Sequence, residues 1–195
     1  MSSTDVRGGE RRCACVIGGG AAIIVVAAAI LLAMGRHPSY VHGPFKLWTS
    51  DASGPENSQQ LADPYTFTHV IHGALWYLLL RLLAPRLSLA TRGLLAVALE
   101  SGWEILENTD FVINRYREAT LALGYYGDTV INSVGDILAS VVGFVLAAWL
   151  PTRVTVLTVI GIELVLLLWI RDSLALNLLM LVHPVEAVKR WQLGQ

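Results

Sequence analysis

The feature that most constrains this chain is the stretch 16–34, which carries 19 residues without a single charge. A helix of that length, rising 1.5 Å per residue, crosses the roughly 30 Å hydrocarbon core of a bilayer. Arg7, Arg11 and Arg12 precede it in a polar stretch that raises the alternative of a cleaved signal. The apolar run is longer than the core of such a signal, so it reads as a retained first span. Four further apolar segments follow near 67–85, 93–107, 129–150 and 154–170, with Pro85 and Pro151 as stops between them. Backbone amides facing lipid have no water to bond, and these long runs lack the alternation of barrel strands, so they read as helices. The expectation is an all-α integral membrane bundle of about five transmembrane helices. It forms one domain over 1–195, with outer loops at 35–66 and 108–128 and an interfacial tail at 171–195.

Composition agrees with that class: 54% of the chain is hydrophobic and 15% charged. Lys and Arg number 14 against 15 Asp and Glu, a formal charge of -1. There is no basic footprint for neutralising phosphates, which argues against a nucleic-acid partner. Cys13 and Cys15 alone make neither a disulfide framework nor a zinc site. Basic residues mark the side on which loops are retained. Arg7, Arg11, Arg12, Arg86, Arg92 and Arg153 crowd the short segments on one side, whereas Arg36, Lys46, Arg115, Arg117, Arg171, Lys189 and Arg190 are spread through long segments on the other. That density puts the amino terminus in the cytoplasm. The apolar stretch 173–182 is too short to cross, so it is expected to lie in the interface or re-enter on the outer side.

With this topology, polar residues from separate helices fall at one depth. His69 and His72 lie in the first turns of the second span. Glu100, Glu104 and Glu107 share one face near the outer end of the third, and Asp128, Asn132 and Asp136 follow i, i+4, i+8 spacing at the start of the fourth. An ionisable side chain within a span costs about 2.5 to 3.5 kcal/mol, so such groups turn inward and pair or line a wet cavity. Three carboxylates on one stripe need compensation from protons, from His69 and His72 as cations, from Arg115 or Arg117 folding down, or from a bound metal. Histidine with carboxylate suits zinc, iron or manganese, and His69 and His72 at i, i+3 can face one ion. Glu104, His72 and Asp128 are the catalytic candidates. Asn132, Glu107, His69, Glu100 and Asp136 are binding candidates, and His69, His72 and Glu104 the candidate metal ligands, which makes a divalent metal the one cofactor to weigh. A buried network that only fixes helix packing accounts for the same residues equally well. Glu163 sits in mid-span of the fifth helix, Arg171 and Asp172 read as the end of that helix, and the six tryptophans read as interface anchors and packing.

The segments PENSQQLADPYTFTHVIHGALWYLLL, ESGWEILENTDFVINRYREA and YYGDTVINSVGDILAS resemble an uncharacterised family of bacterial multi-pass membrane proteins, a domain of unknown function. The likeness runs from about residue 45 to 191. A looser one is to the VanZ-like membrane proteins, with His72, Glu104 and Glu107, and Asp128, Asn132 and Gly135 in the matching positions. These resemblances imply the bacterial cytoplasmic (inner) membrane and an envelope-related role. Beyond the lipid bilayer itself, they suggest a lipid or envelope precursor as partner. Three classes of function stay open: an envelope- or lipid-related enzyme with an outward-facing His/carboxylate pocket, a structural or assembly factor, and a small proton-coupled transporter.

Overall fold

The computed structural model describes residues 3–119 and 124–194, with side chains in the first helix from residue 14 onward. Arg7, Arg11, Arg12 and Cys13 therefore lie outside the described side chains. The described residues form eight helices and no strand. Five are long: α1 Ser3–Ala33, α2 Thr66–Leu83, α3 Leu89–Glu107, α5 Val130–Trp149 and α6 Thr152–Ile170. Three are short: α4 Asp110–Ala119, α7 Leu174–Val182 and α8 Glu186–Gln192.

Three of the five expected spans, Ala14–Ala33, Val130–Trp149 and Thr152–Ile170, are long and apolar enough to cross a membrane. α2 and α3 fall outside that set because each mixes its apolar residues with polar ones: His69, His72 and Arg81 in α2, and Arg92, Glu100, Glu104 and Glu107 in α3. Half of the apolar stretch of α5 is buried, against 11% for α1 and 6% for α6, so α5 is central and those two are peripheral.

The helix ends follow local chemistry. Gly35, at φ 86, takes the left-handed conformation that stops α1 and lets Arg36 N–H reach the Leu31 carbonyl at 3.0 Å. Ser88 caps α3 by accepting from Thr91 N–H at 3.1 Å. Thr129 caps α5, whose next free amides, Val130 and Ile131, donate to the carbonyls of His37 and Pro38. The irregular segment after α1 is thus pinned over the start of α5. The stretch 108–128, read from sequence as a loop, contains α4. This helix is amphipathic, burying Val112, Ile113, Tyr116 and Ala119 while Asn114, Arg117 and Glu118 face outward.

The centre is a three-helix unit of α2, α3 and α5. α2 and α5 run parallel, with His69 beside Asp136, Gly73 against Ser140 and Tyr77 against Phe144. α3 runs antiparallel to α2, since Ala96 packs with Leu80 at one end and Glu104 faces His69 at the other. The helix approach is close enough that a Cβ on Gly73 would collide with the Ser140 carbonyl, and one on Gly143 with the Val70 carbonyl. Gly135 meets Leu61 in the same way, whereas Gly102 faces open space within 4 Å. Gly73, Gly135 and Gly143 thus serve close packing and Gly102 does not.

Gly73→Ala and Gly143→Ala should each force the α2 and α5 backbones apart and destabilise the protein by about 1 to 3 kcal/mol, the range for overpacking. Gly102→Ala should be neutral or stabilising, through helix propensity alone. Thermal unfolding of the purified variants in detergent checks the contrast; equal effects at all three positions would contradict the close approach.

Candidate functional site

Where the start of α2 meets the end of α3 and the start of α5, buried polar side chains converge. His69 Nδ1 lies 2.7 Å from Glu100 Oε1 and 3.3 Å from Glu104 Oε1, and its Nε2 lies 3.9 Å from Asp136 Oδ2. His72 Nδ1 approaches the same Glu100 oxygen at 3.0 Å. The other Glu100 oxygen accepts from the Trp76 indole N–H at 2.6 Å. One turn separates His69, His72 and Trp76 along α2, so all three reach a single carboxylate on α3. Glu100 is 0% exposed and Glu104 1%. Two buried oxygens, Glu104 Oε1 and Asp136 Oδ1, lack a hydrogen-bond partner among the described residues.

A second branch is anchored by Asn108, four residues after Glu104. Its amide donates to the Glu104 carbonyl at 3.0 Å and to Asp128 Oδ2 at 2.7 Å, while its oxygen accepts from Asp128 N–H at 2.8 Å. The Tyr125 hydroxyl donates to Asp128 Oδ1 at 3.0 Å. Gln59 ties this branch to the long loop, donating to the Gly127 carbonyl and accepting from the Thr129 hydroxyl through its own carbonyl. Asp63 accepts from the backbone N–H groups of Ser58 and Tyr65, and burial pushes its carboxyl upward.

A cavity lies over these branches. It is lined by His69, His72, Glu107, Asp128 and Asp136 with Tyr65, Tyr116 and Tyr125, by Trp103 of α3, and by Leu174, Asn177 and Leu178 of α7. Of the candidates from sequence, five therefore reach the cavity. Glu100, Glu104 and Asn132 are buried behind it. His69, a binding candidate from sequence, lies at the centre of the network.

Arg115 and Arg117 do not fold down onto the carboxylates. Arg115 donates to the Leu181 and Val182 carbonyls, and Arg117 to the Tyr125 carbonyl. Other residues do more than the sequence implies. Trp76 is a hydrogen-bond donor to Glu100 as well as a packing residue. Asp172 does not simply end a helix: it is 1% exposed and accepts from the Tyr65 hydroxyl, Ser173 N–H and Asn177. Glu163 accepts from the backbone N–H groups of Leu174 and Ala175, fastening the start of α7 to α6. With Arg115 at its far end, α7 is held as a cavity wall. Asn108 alone had a readable signal, its i+4 spacing from Glu104.

Burial raises the Asp128 carboxyl from its ordinary 3.8 to about 6, against the hydrogen bonds from Tyr125 and Asn108 that favour the ionised form. Between those values the folded protein binds more protons than the unfolded chain, so this group's contribution to stability declines as pH rises from about 4 to about 6. Asp128→Asn should remove that component. Its Tm should fall less than that of the wild type over this interval, and parallel curves for the two proteins would contradict the assignment.

The chain matches the family model described as "Protein of unknown function (DUF2585)" over residues 31–194. A UPF0314 protein of Paracoccus denitrificans is 54% identical over 162 residues, covering 83% of this chain and 84% of the relative. One from Sphingopyxis alaskensis is 47% identical over 165 residues, covering 85% and 88%. One from Brucella anthropi is 45% identical over 152 residues, covering 78% and 77%. No solved structure matches the chain significantly. The match extends through α2, α3, α5 and the tail, and hence over every residue of the cavity: the chain belongs to the DUF2585 family of proteins of unknown function.

Proposed function

We propose that this protein is a multi-pass enzyme of the bacterial inner membrane, crossing it with α1, α2, α3, α5 and α6, and that its cavity opens outward to act on an amphipathic lipid or envelope precursor. Support for the membrane comes from an inverted distribution of polarity. The interior holds carboxylates and histidines, while Leu83, Trp149 and Leu168 stand 74%, 79% and 84% exposed on the outside. Lipid accepts such a surface; water disfavours it. The turns near Arg86 and Arg153 then face the cytoplasm. Periplasmic activity of a topology reporter fused between residues 86 and 92 would refute that orientation.

The observation that carries the enzyme reading is the mixed lining of the cavity, which Asp136 and His69 share with Leu174 and Leu178. A substrate with an apolar tail and a polar ester head matches both kinds of lining. Asp136 has a buried oxygen without a partner, so it is the group left to take a proton from water. The water oxygen bonds to the acyl carbon or phosphorus of the ester, the bond to the leaving oxygen breaks with its electron pair, and Asp136 returns the proton to that oxygen.

The test is complementation of a deletion strain, with envelope lipids and precursors followed by mass spectrometry. Asp136→Asn should accumulate the same precursor as the deletion while the membrane holds wild-type amounts of folded protein. Full complementation by Asp136→Asn would overturn the reading. So would a loss of function that only tracks a loss of protein, which is the outcome for a structural network.

A further inference from the structure

The polar cluster that His69 and His72 form with the acids of α3 and α5 has a charge problem. Glu100, Glu104 and Asp136 are buried together, and among the described residues no Lys or Arg pairs with them. The histidines could donate one Nδ1–H each. Both of those donors point at the same oxygen, Glu100 Oε1, at 2.7 and 3.0 Å. Glu104 Oε1, 3.3 Å from His69 Nδ1, is then left without a hydrogen bond at 1% exposure, although such a group costs stability when unpaired. Two nitrogens and two oxygens therefore converge where hydrogen bonds can satisfy only part of them.

We infer that His69, His72 and Glu100 form a divalent-metal site that clips α2 to α3. One ring nitrogen each of His69 and His72 and a Glu100 oxygen lie within 4.8 Å of one another. A tetrahedral ion with bonds of about 2.0 Å has ligand-to-ligand edges of about 3.3 Å. The His69 and His72 Nδ1 atoms lie 2.7 and 3.0 Å from the Glu100 oxygen, below that edge, so modest side-chain rotation opens room for the ion. Glu100 as a ligand and Glu104, 3.3 Å from His69 Nδ1, together balance the charge of a divalent ion. Trp76 holds the non-ligating Glu100 oxygen, the outer support that metal-binding carboxylates usually have. Two imidazoles with a carboxylate suit zinc, and accommodate iron(II) or manganese(II). The ligands come from two helices, so the ion staples α2 to α3. The site goes beyond the reaction proposed above and does not depend on it.

The experiment uses the full chain purified in detergent with a tag free of histidine, and metal content by mass spectrometry. Wild type should retain about one equivalent of metal, and His69→Ala and Glu100→Gln below about a tenth of that. His42→Ala, at an exposed loop histidine, should match wild type. Strong chelation should lower the wild-type Tm by several degrees and added zinc should restore it, with no response in Glu100→Gln; this arm stands even if a variant fails to fold. Metal-free wild type with a Tm indifferent to chelator and zinc would overturn the site, as would equal metal in wild type and His69→Ala. Asp136→Asn should keep its metal. Its failure to lose function would count against the proposed reaction alone, and metal-free wild type with an inactive Asp136→Asn against the metal alone.

Discussion

The backbone-to-backbone approach of α2 and α5 is the constraint on which the rest depends. Where Gly73 faces the Ser140 carbonyl and Gly143 the Val70 carbonyl, there is no room for even a methyl group. Parallel helices held that tightly fix relative depth as well as distance. His69 arrives beside Asp136 and Tyr77 beside Phe144 because the same offset is repeated turn after turn. α3 then fills the antiparallel position and delivers its acidic stripe to the level of the histidines. The polar cluster is a product of helix register before it is a product of electrostatic attraction.

Burial of so many polar groups requires that each find a partner, and most do so through chains rather than pairs. Asn108 joins the Glu104 backbone to Asp128, and Gln59 joins the loop before α2 to the loop before α5. The irregular segment after α1 has a comparable role, since its carbonyls satisfy amides at the start of α5 that the helix cannot satisfy itself. Such a segment is structural despite lacking regular structure. The unsatisfied oxygens of Glu104 and Asp136, like the Asn132 side-chain amide nitrogen and the Ser101 and Ser133 hydroxyls, are exceptions to this pattern, and a ligand is to be sought beside them.

How much of this was legible follows from what sequence encodes directly. The long helices and their stops could be read because apolar length and proline are local signals; the described boundaries of α2, α5 and α6 fall within about two residues of the expected ones. The convergence of His69, His72, Glu104 and Asp136 could be anticipated because depth along a helix follows from position once topology is assumed. Which residue stands at the centre could not. The rotation of α3 makes Glu100 the shared partner and leaves Glu104 behind the cavity, and rotation depends on the packing of both neighbours. The partner of Arg115, one of several compensations open from sequence, could not be read for a related reason: its position permits either the carboxylates or the carbonyls of α7, and only the tertiary arrangement selects the second. α4 was hidden by its polarity, which resembles that of a loop until the spacing of Val112, Ile113, Tyr116 and Ala119 is seen against a neighbour.

The fastening of α7 has a consequence for how the molecule is assembled. Its first amides donate to the Glu163 carboxyl oxygens and its last carbonyls accept from the Arg115 guanidinium, so both ends of the helix are satisfied by side chains of other helices. A nine-residue apolar helix has little tendency to form alone. Its scaffold must already exist, with α4 and α6 both in place, before it can seat. The part of the cavity lining that α7 supplies is therefore only as secure as its two anchors, each of which lies on a different helix.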